Sequence, residues 1–444
     1  MGRTYRYRKQ RQKLAKEHEQ NKDDRFLPDL YKYLSSLGWR NESQLTARNF
    51  PLTGRGLCSK SLTLETGSEL IRLPSNALLS IKTIETDDEF KDIFDETKFD
   101  KDHKISFQAL MAFYILYQKN LGDNTKYLPY LKSLPSYFTT PYFCPISELQ
   151  CLPENILERT VEQNRLIKLA YSNLKLVLKI ENFEEQYPLQ QFRWSYFVVN
   201  TRSVYVFGKQ LKPEKSFFQS FITEDCNLAL APFLDLFNHS DQVQTQADLI
   251  RNKETKELEF ILTLENCENS KILPLQQIFI SYGALTNLKL LLEYGFFLSL
   301  NCHDYFEFSL NDIENFLHME KTLKGRLFHK NKFKFIREHN LCDQMFVHRL
   351  DGISHNLHVV LHLLFKEESH FPNILNQVAF GSVANLENVN DEMKLLLEFK
   401  INEYEIFINS LESMKALSKS GIVVKSYLQE CHKYLQNCIN TIEY

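Results

Sequence analysis

The stretch LDLFNHS, Leu234 to Ser240, follows directly on the apolar run LALAPF, Leu228 to Phe233. It brings a carboxylate (Asp235), an amide (Asn238) and an imidazole (His239) to the point where the chain looks most buried. A buried polar group without a partner costs roughly 1–3 kcal/mol, so each of the three needs one, in the protein or in a ligand. Asp235 and His239 stand four apart and on a helix would share a face, like two metal ligands. Without further Cys or His nearby they fall short of a zinc site, and no metal is expected. NHS also matches a glycosylation sequon, which an intracellular chain would not use. Neither reading explains why all three polar residues follow an apolar run.

Composition bounds the answer. With 444 residues, 43% apolar and 13% aromatic, the chain is globular and long enough for two or three domains. A net charge of −3 argues against nucleic-acid binding through overall charge. Charge is uneven at the start, where MGRTYRYRKQRQKLAK carries seven Lys or Arg and no acid. Residues 1–22 are read as a basic, disordered tail, suited to a nuclear address or a weak nucleic-acid contact. The tail lacks the apolar core of a secretory signal, and no run of about 20 apolar residues occurs, so no membrane partner is expected and the location should be nucleus or cytoplasm. The nine cysteines contain no CxxC pair and read as reduced packing residues.

Along the chain, DRFLPDLYKYLSSLGW has the period of a short amphipathic helix. From Phe50 to Ser80, short β-like runs are broken by Gly and Pro; TGRG, Thr53 to Gly56, is by itself only a glycine turn. The acidic run over 85–104 reads as an exposed loop or helix. Helical patterns fill about 105–200, QADLIRNKETKELEFILTL alternates like a hairpin, and QQIFISYG is a further strand. From Asn287 onward nearly everything has helical spacing. The two tyrosines Tyr282 and Tyr294, supplied by ISYG and NLKLLLEYGFF and flanking a helix-like segment, read by residue chemistry alone as core tyrosines with satisfied hydroxyls.

In order, GRGL (54–57), GSELIRLP (67–74), NTR (200–202), DLFNHS (235–240), ISYG (280–283) and EYGFF (293–297) resemble the motifs of SET-domain methyltransferases of the plant Rubisco large-subunit methyltransferase type. The resemblance implies an α+β fold: a β-rich SET domain over 23–300, split by a helical insert at about 105–200, followed by an all-α substrate-binding domain over 301–444. It implies S-adenosylmethionine as cofactor, held by Leu57, Glu69, Ile71, Arg202, Asn238, His239 and Tyr282, with Arg202 pairing the methionine carboxylate. Tyr282 would be the catalytic residue, and Asp235 and Tyr294 would flank the channel for a substrate lysine. On this reading the polar residues of LDLFNHS are buried because a polar cofactor meets them.

The expected chemistry is methyl transfer to a lysine of a histone or non-histone protein. A free lysine is neutral in only about one molecule in 2,500 at pH 7, so desolvation and a neighbouring sulfonium must lower its pKa before it attacks. The histidine-methylating branch has Asn two residues after the arginine and Trp before the aspartate; here these are Val204 and Leu234, which favours lysine. A binding module of the same fold with little catalysis is the alternative from another class. One departure concerns Leu275, where the family often has Gly before the last strand.

Overall fold

The computed structural model describes residues 26–99, 103–206, 211, 216–223, 226–267, 271–319, 330–381 and 386–442. The basic tail over 1–22 lies outside the described residues. The chain divides into two compact units, residues 1–138 with 161–284, and residues 139–160 with 285–444. The expected insert over 105–200 is thus shared between the units, and the break falls after Ala284 rather than at 300.

The first unit opens with helix α1 (Leu27–Ser36), which buries Leu27, Leu30 and Leu34, three and four residues apart. Its strands are β1 (Leu45–Phe50), β2 (Gly54–Ser59), β3 (Leu64–Glu65), β4 (Glu69–Pro74), β5 (Ser203–Tyr205), β6 (Leu228–Leu230), β7 (Asn238–His239), β8 (Gln244–Arg251), β9 (Leu258–Asn266), β10 (Lys271–Ile272) and β11 (Gln277–Ile280). They form small sheets, of which two position the site: β1-β2-β11-β7 and β4-β9-β8. β1 and β2 are an antiparallel pair from Leu45 opposite Ser59 to Phe50 opposite Gly54. Gly54 sits at φ +69°, which a side chain would strain. β8 and β9 form the hairpin expected around NKETKE.

Helix α2 (Phe107–Asn120) is buried on nearly every side, as its almost continuous apolar sequence requires, and Ser106 caps it by accepting from the Ala109 N–H. It packs against α3 (Leu189–Arg202), whose last residue is Arg202. The acidic run proves more structural than its composition indicated. Glu85 accepts from the Phe217 N–H over 3.0 Å, and Asp87 accepts from the Tyr114 hydroxyl over 2.9 Å and from the Phe90 N–H over 3.0 Å. These acids answer buried donors rather than face water.

The second unit is predominantly helical, with one correction to the all-α expectation. β12 (Tyr305–Glu307), β13 (Phe346–His348) and β14 (Gly352–Ile353) form a three-stranded antiparallel sheet. Each strand has only two or three residues, too short for the alternation that marks a strand in sequence. The core of this unit joins Cys144, Leu152 and Ile156 to Phe306, Phe308, Leu396, Leu428 and Leu435. Glu148 binds the start of helix Lys419–Ile442, accepting from the Ser418 N–H and hydroxyl, each over 2.6 Å. An acid there also meets the positive end of the helix dipole.

Candidate functional site

LDLFNHS is not helical. Asp235 lies in a 3-10 turn, Leu234–Leu236, and Asn238 and His239 form β7. The turn is entered through Phe233 at φ +74°, a strained conformation for a phenylalanine, held by full burial against Tyr31 and Trp39. β7 then runs parallel to β11, with Asn238 opposite Phe279 and His239 opposite Ile280. This pairing brings ISYG against NHS across about forty residues of chain, a loop length whose closure is entropically modest.

Contacts within the cluster are specific. His239 is 4% exposed, and its Nδ1 faces both the Tyr282 backbone N–H at 3.1 Å and the Ile280 carbonyl at 3.3 Å. The two rings stack, centroids 5.0 Å apart. The Tyr282 hydroxyl donates to the Phe237 carbonyl over 2.6 Å. Asn238 donates from Nδ2 to the Arg55 carbonyl over 2.9 Å, which ties β7 to β2. Gly56 makes this closure possible: a Cβ there would lie 2.6 Å from Gln277 Nε2 and 3.0 Å from Asn238 Nδ2.

Arg202 and Asp235 form an ion pair, Nη1 to Oδ2 at 3.1 Å, and the same Nη1 donates to the Asp235 carbonyl over 3.0 Å. The Asp235 side chain has no solvent exposure. Burial pushes its carboxyl above the usual range, against the pull of Arg202 and a hydrogen bond from Tyr130. Burial also works against the charge on Arg202, but Asp235 outweighs it and holds the guanidinium charged. Asp235 Oδ1 is buried with no partner among the described residues.

The other expected site residues stand elsewhere. Leu57 is fully buried in β2 opposite Ile278 of β11. Glu69 and Ile71 are on β4, in the other sheet, and line a cavity of about 400 Å³ with Trp39, Arg40 and Arg72. Glu69 is held there by Arg72, which also reaches Glu259 at 2.8 Å. Tyr294 belongs to the second unit, at the end of α4 (Asn287–Tyr294), where burial and then Glu293 push its phenol pKa up. The structure thus brings together Arg202, Asp235, Asn238, His239 and Tyr282, with Leu57 on the adjoining strand. Sequence reasoning missed Tyr130 and the Arg55 and Phe237 carbonyls, since a backbone acceptor carries no residue signature.

A β-rich unit in which an NHS strand lies parallel to the strand of ISYG has the fold of the SET-domain methyltransferases. A crystal structure of the SET domain of LSMT bound to lysine and AdoHcy superposes with a TM-score of 0.60 and 15% identity, covering 94% of this chain and 91% of that one. In sequence the chain is similar to SET domain-containing protein 4 of Artemia parthenogenetica, 25% identical over 91% of this chain and 94% of the relative, and to that of Mus musculus, 28% identical over 90% and 86%. The chain thus has the SET-domain fold and is similar along most of its length to relatives named SET domain-containing protein 4. Further relatives are a ribosomal lysine N-methyltransferase of Schizosaccharomyces pombe, 28% identical over 52% of this chain and 51% of its own, and an actin-histidine N-methyltransferase of Mus musculus, 26% identical over 44% and 30%. No family model matches the chain.

Proposed function

We propose that the chain is an S-adenosylmethionine-dependent protein N-methyltransferase acting on lysine. The observation that carries the proposal is the buried cluster of Arg202, Asp235, Asn238, His239 and Tyr282, whose contacts are all made within one unit. Its donor set fits the amino-acid end of the cofactor. Both contacts of Arg202 use Nη1, so Nε and Nη2 have no protein partner among the described residues and suit a carboxylate. The orphaned Oδ1 of Asp235 is an acceptor suited to the neighbouring ammonium. Asn238 spends its amide N–H on Arg55, which leaves its carbonyl oxygen to accept from the adenine amino group.

When bound, the cofactor supplies an electrophilic methyl on a positive sulfur. The residues of the chain do the rest. Tyr282 spends its proton on the Phe237 carbonyl, so its oxygen meets an incoming amine as an acceptor, orienting the lone pair of the neutral lysine. His239 keeps Tyr282 in place through the stack and the Nδ1 contact. Val204 and Leu234 support lysine over histidine as the target. Asp235 enters the proposal as the partner of Arg202. The test is incubation of the full chain and tritiated cofactor with histones, ribosomes, actin and cytosolic protein fractions, with the labelled residue identified by mass spectrometry. Label on lysine is expected. Label on histidine overturns the target assignment, and cofactor binding without transfer to any fraction favours a binding module.

A further inference from the structure

We infer that Tyr130 is a positioning residue for the amino-acid end of the cofactor, acting through Asp235 on Arg202, an inference that rests on the function proposed above. Tyr130 lies in a short helical turn, Leu128–Leu131, and has no exposed surface. Its hydroxyl donates to Asp235 Oδ2 over 2.9 Å, and that same oxygen faces Arg202 Nη1 at 3.1 Å. The three residues come from a helical turn, the end of α3 and the 3-10 turn, so no local geometry forces them together.

A carboxylate gripped on one oxygen from two directions has one orientation. Asp235 in turn holds Nη1 of Arg202 at two acceptors, its side chain and its own carbonyl. Because a guanidinium is a rigid planar fork, fixing one nitrogen this way fixes the plane of the other two. Nε and Nη2, the donors proposed to take the carboxylate, are thereby set before any ligand arrives. Without the Tyr130 hydroxyl, Asp235 would keep only Arg202 on Oδ2 and nothing on Oδ1, and the fork would lose its fixed plane. Tyr130 touches no proposed ligand atom, so its effect must pass through the pair.

The test compares two ligands on the full chain by calorimetry. S-Adenosylhomocysteine carries the carboxylate and ammonium, whereas 5′-methylthioadenosine keeps the nucleoside and thioether but lacks both. Tyr130→Phe is expected to weaken the first about five- to tenfold, less than the full loss of one hydrogen bond to a charged group because the effect reaches the ligand only through Asp235 and Arg202, and the second less than about twofold. Tyr114→Phe is the matched control, since Tyr114 is also buried and donates to an aspartate, Asp87, over 2.9 Å. It should lower stability comparably and leave both affinities unchanged. Equal losses for the two ligands, or an unchanged first affinity, overturn the inference. If Tyr130→Phe does not fold, Tyr130→Met, which also removes the hydroxyl while filling the buried site with a flexible apolar side chain, must show the same selective loss. A wild-type chain that binds neither ligand overturns the proposed function and this inference with it, whereas wild-type binding without a selective loss overturns the inference alone.

Discussion

Tyr282→Phe removes one oxygen and leaves the ring that stacks on His239 at 5.0 Å. Two effects follow and they separate. The Phe237 carbonyl loses the donor that reached it over 2.6 Å, in a residue only 1% exposed, and an orphaned buried acceptor costs roughly 1–3 kcal/mol. For a unit of this size, about 2–4 °C per kcal/mol, the melting temperature should fall by about 2–12 °C. Methyl transfer should fall by at least about tenfold, or roughly 1.4 kcal/mol of barrier, because the oxygen that orients the amine is gone. At 25 °C, well below the transition, the folded fraction is unchanged, so a loss of turnover per mole reports the hydroxyl and not the stability. Cofactor affinity should stay within a few-fold, because the backbone N–H of Tyr282 still donates to His239. Single-turnover transfer with tritiated cofactor, thermal unfolding and calorimetric binding of S-adenosylhomocysteine measure the three quantities on one preparation. A lower melting temperature with unchanged turnover would show the hydroxyl to be a structural group only, and a matching loss of cofactor affinity would make Tyr282 a binding residue.

Asn238→Ala should weaken cofactor binding and lower stability by about 1–2 kcal/mol, since it breaks the 2.9 Å tie to the Arg55 carbonyl; wild-type values for both by calorimetry would contradict this. In the second unit, burial raises the Asp304 carboxyl to about 6, against hydrogen bonds from Asn287. The folded state then holds the proton more tightly than the unfolded one, so this group's stabilisation is present below about pH 4 and is lost as pH rises through about 6, a change on the order of 3 kcal/mol. The stability difference between wild type and Asp304→Asn, followed by urea unfolding from pH 4 to 8, should vary across that window and be flat above it; a difference independent of pH would refute the assignment. Truncation near Ser309 should give an aggregating fragment, because it leaves Cys144, Leu152, Ile156, Phe306 and Phe308 without Leu396, Leu428 and Leu435, and a soluble, monodisperse fragment by light scattering would rule this out.

Much of the β, helical, β, helical order was legible because each element carries its own period, as in α1, α2 and the β8–β9 hairpin. The NHS and ISYG motifs were legible because their polar residues break an apolar run. Tyr130 was not: its partner is 105 residues away, and alone it looks like any core tyrosine. Glu85 and Asp87 misled for the same reason, since composition shows a charge but not the N–H it answers. The transfer of residues 139–160 to the second unit was hidden too, because a segment's apolar side chains do not say which core they enter. Leu275 kept the geometry that its identity argued against. It sits at φ +67°, so the turn before β11 keeps a glycine-like backbone and bears a strain of roughly 1–2 kcal/mol.

The strand order β1-β2-β11-β7 also sets a timetable for synthesis. β2 leaves the ribosome paired to β1 on one edge only, and its second neighbour, β11, begins at Gln277. At about 5–20 residues per second, the roughly 220 intervening residues take on the order of 10–40 s to appear. During that interval the strand that carries Leu57 and Cys58 presents unpaired backbone and apolar side chains to other nascent chains. A chaperone that shields strand edges should therefore raise the yield of folded protein more than one that acts after release, and slower translation upstream of β11 should lower it.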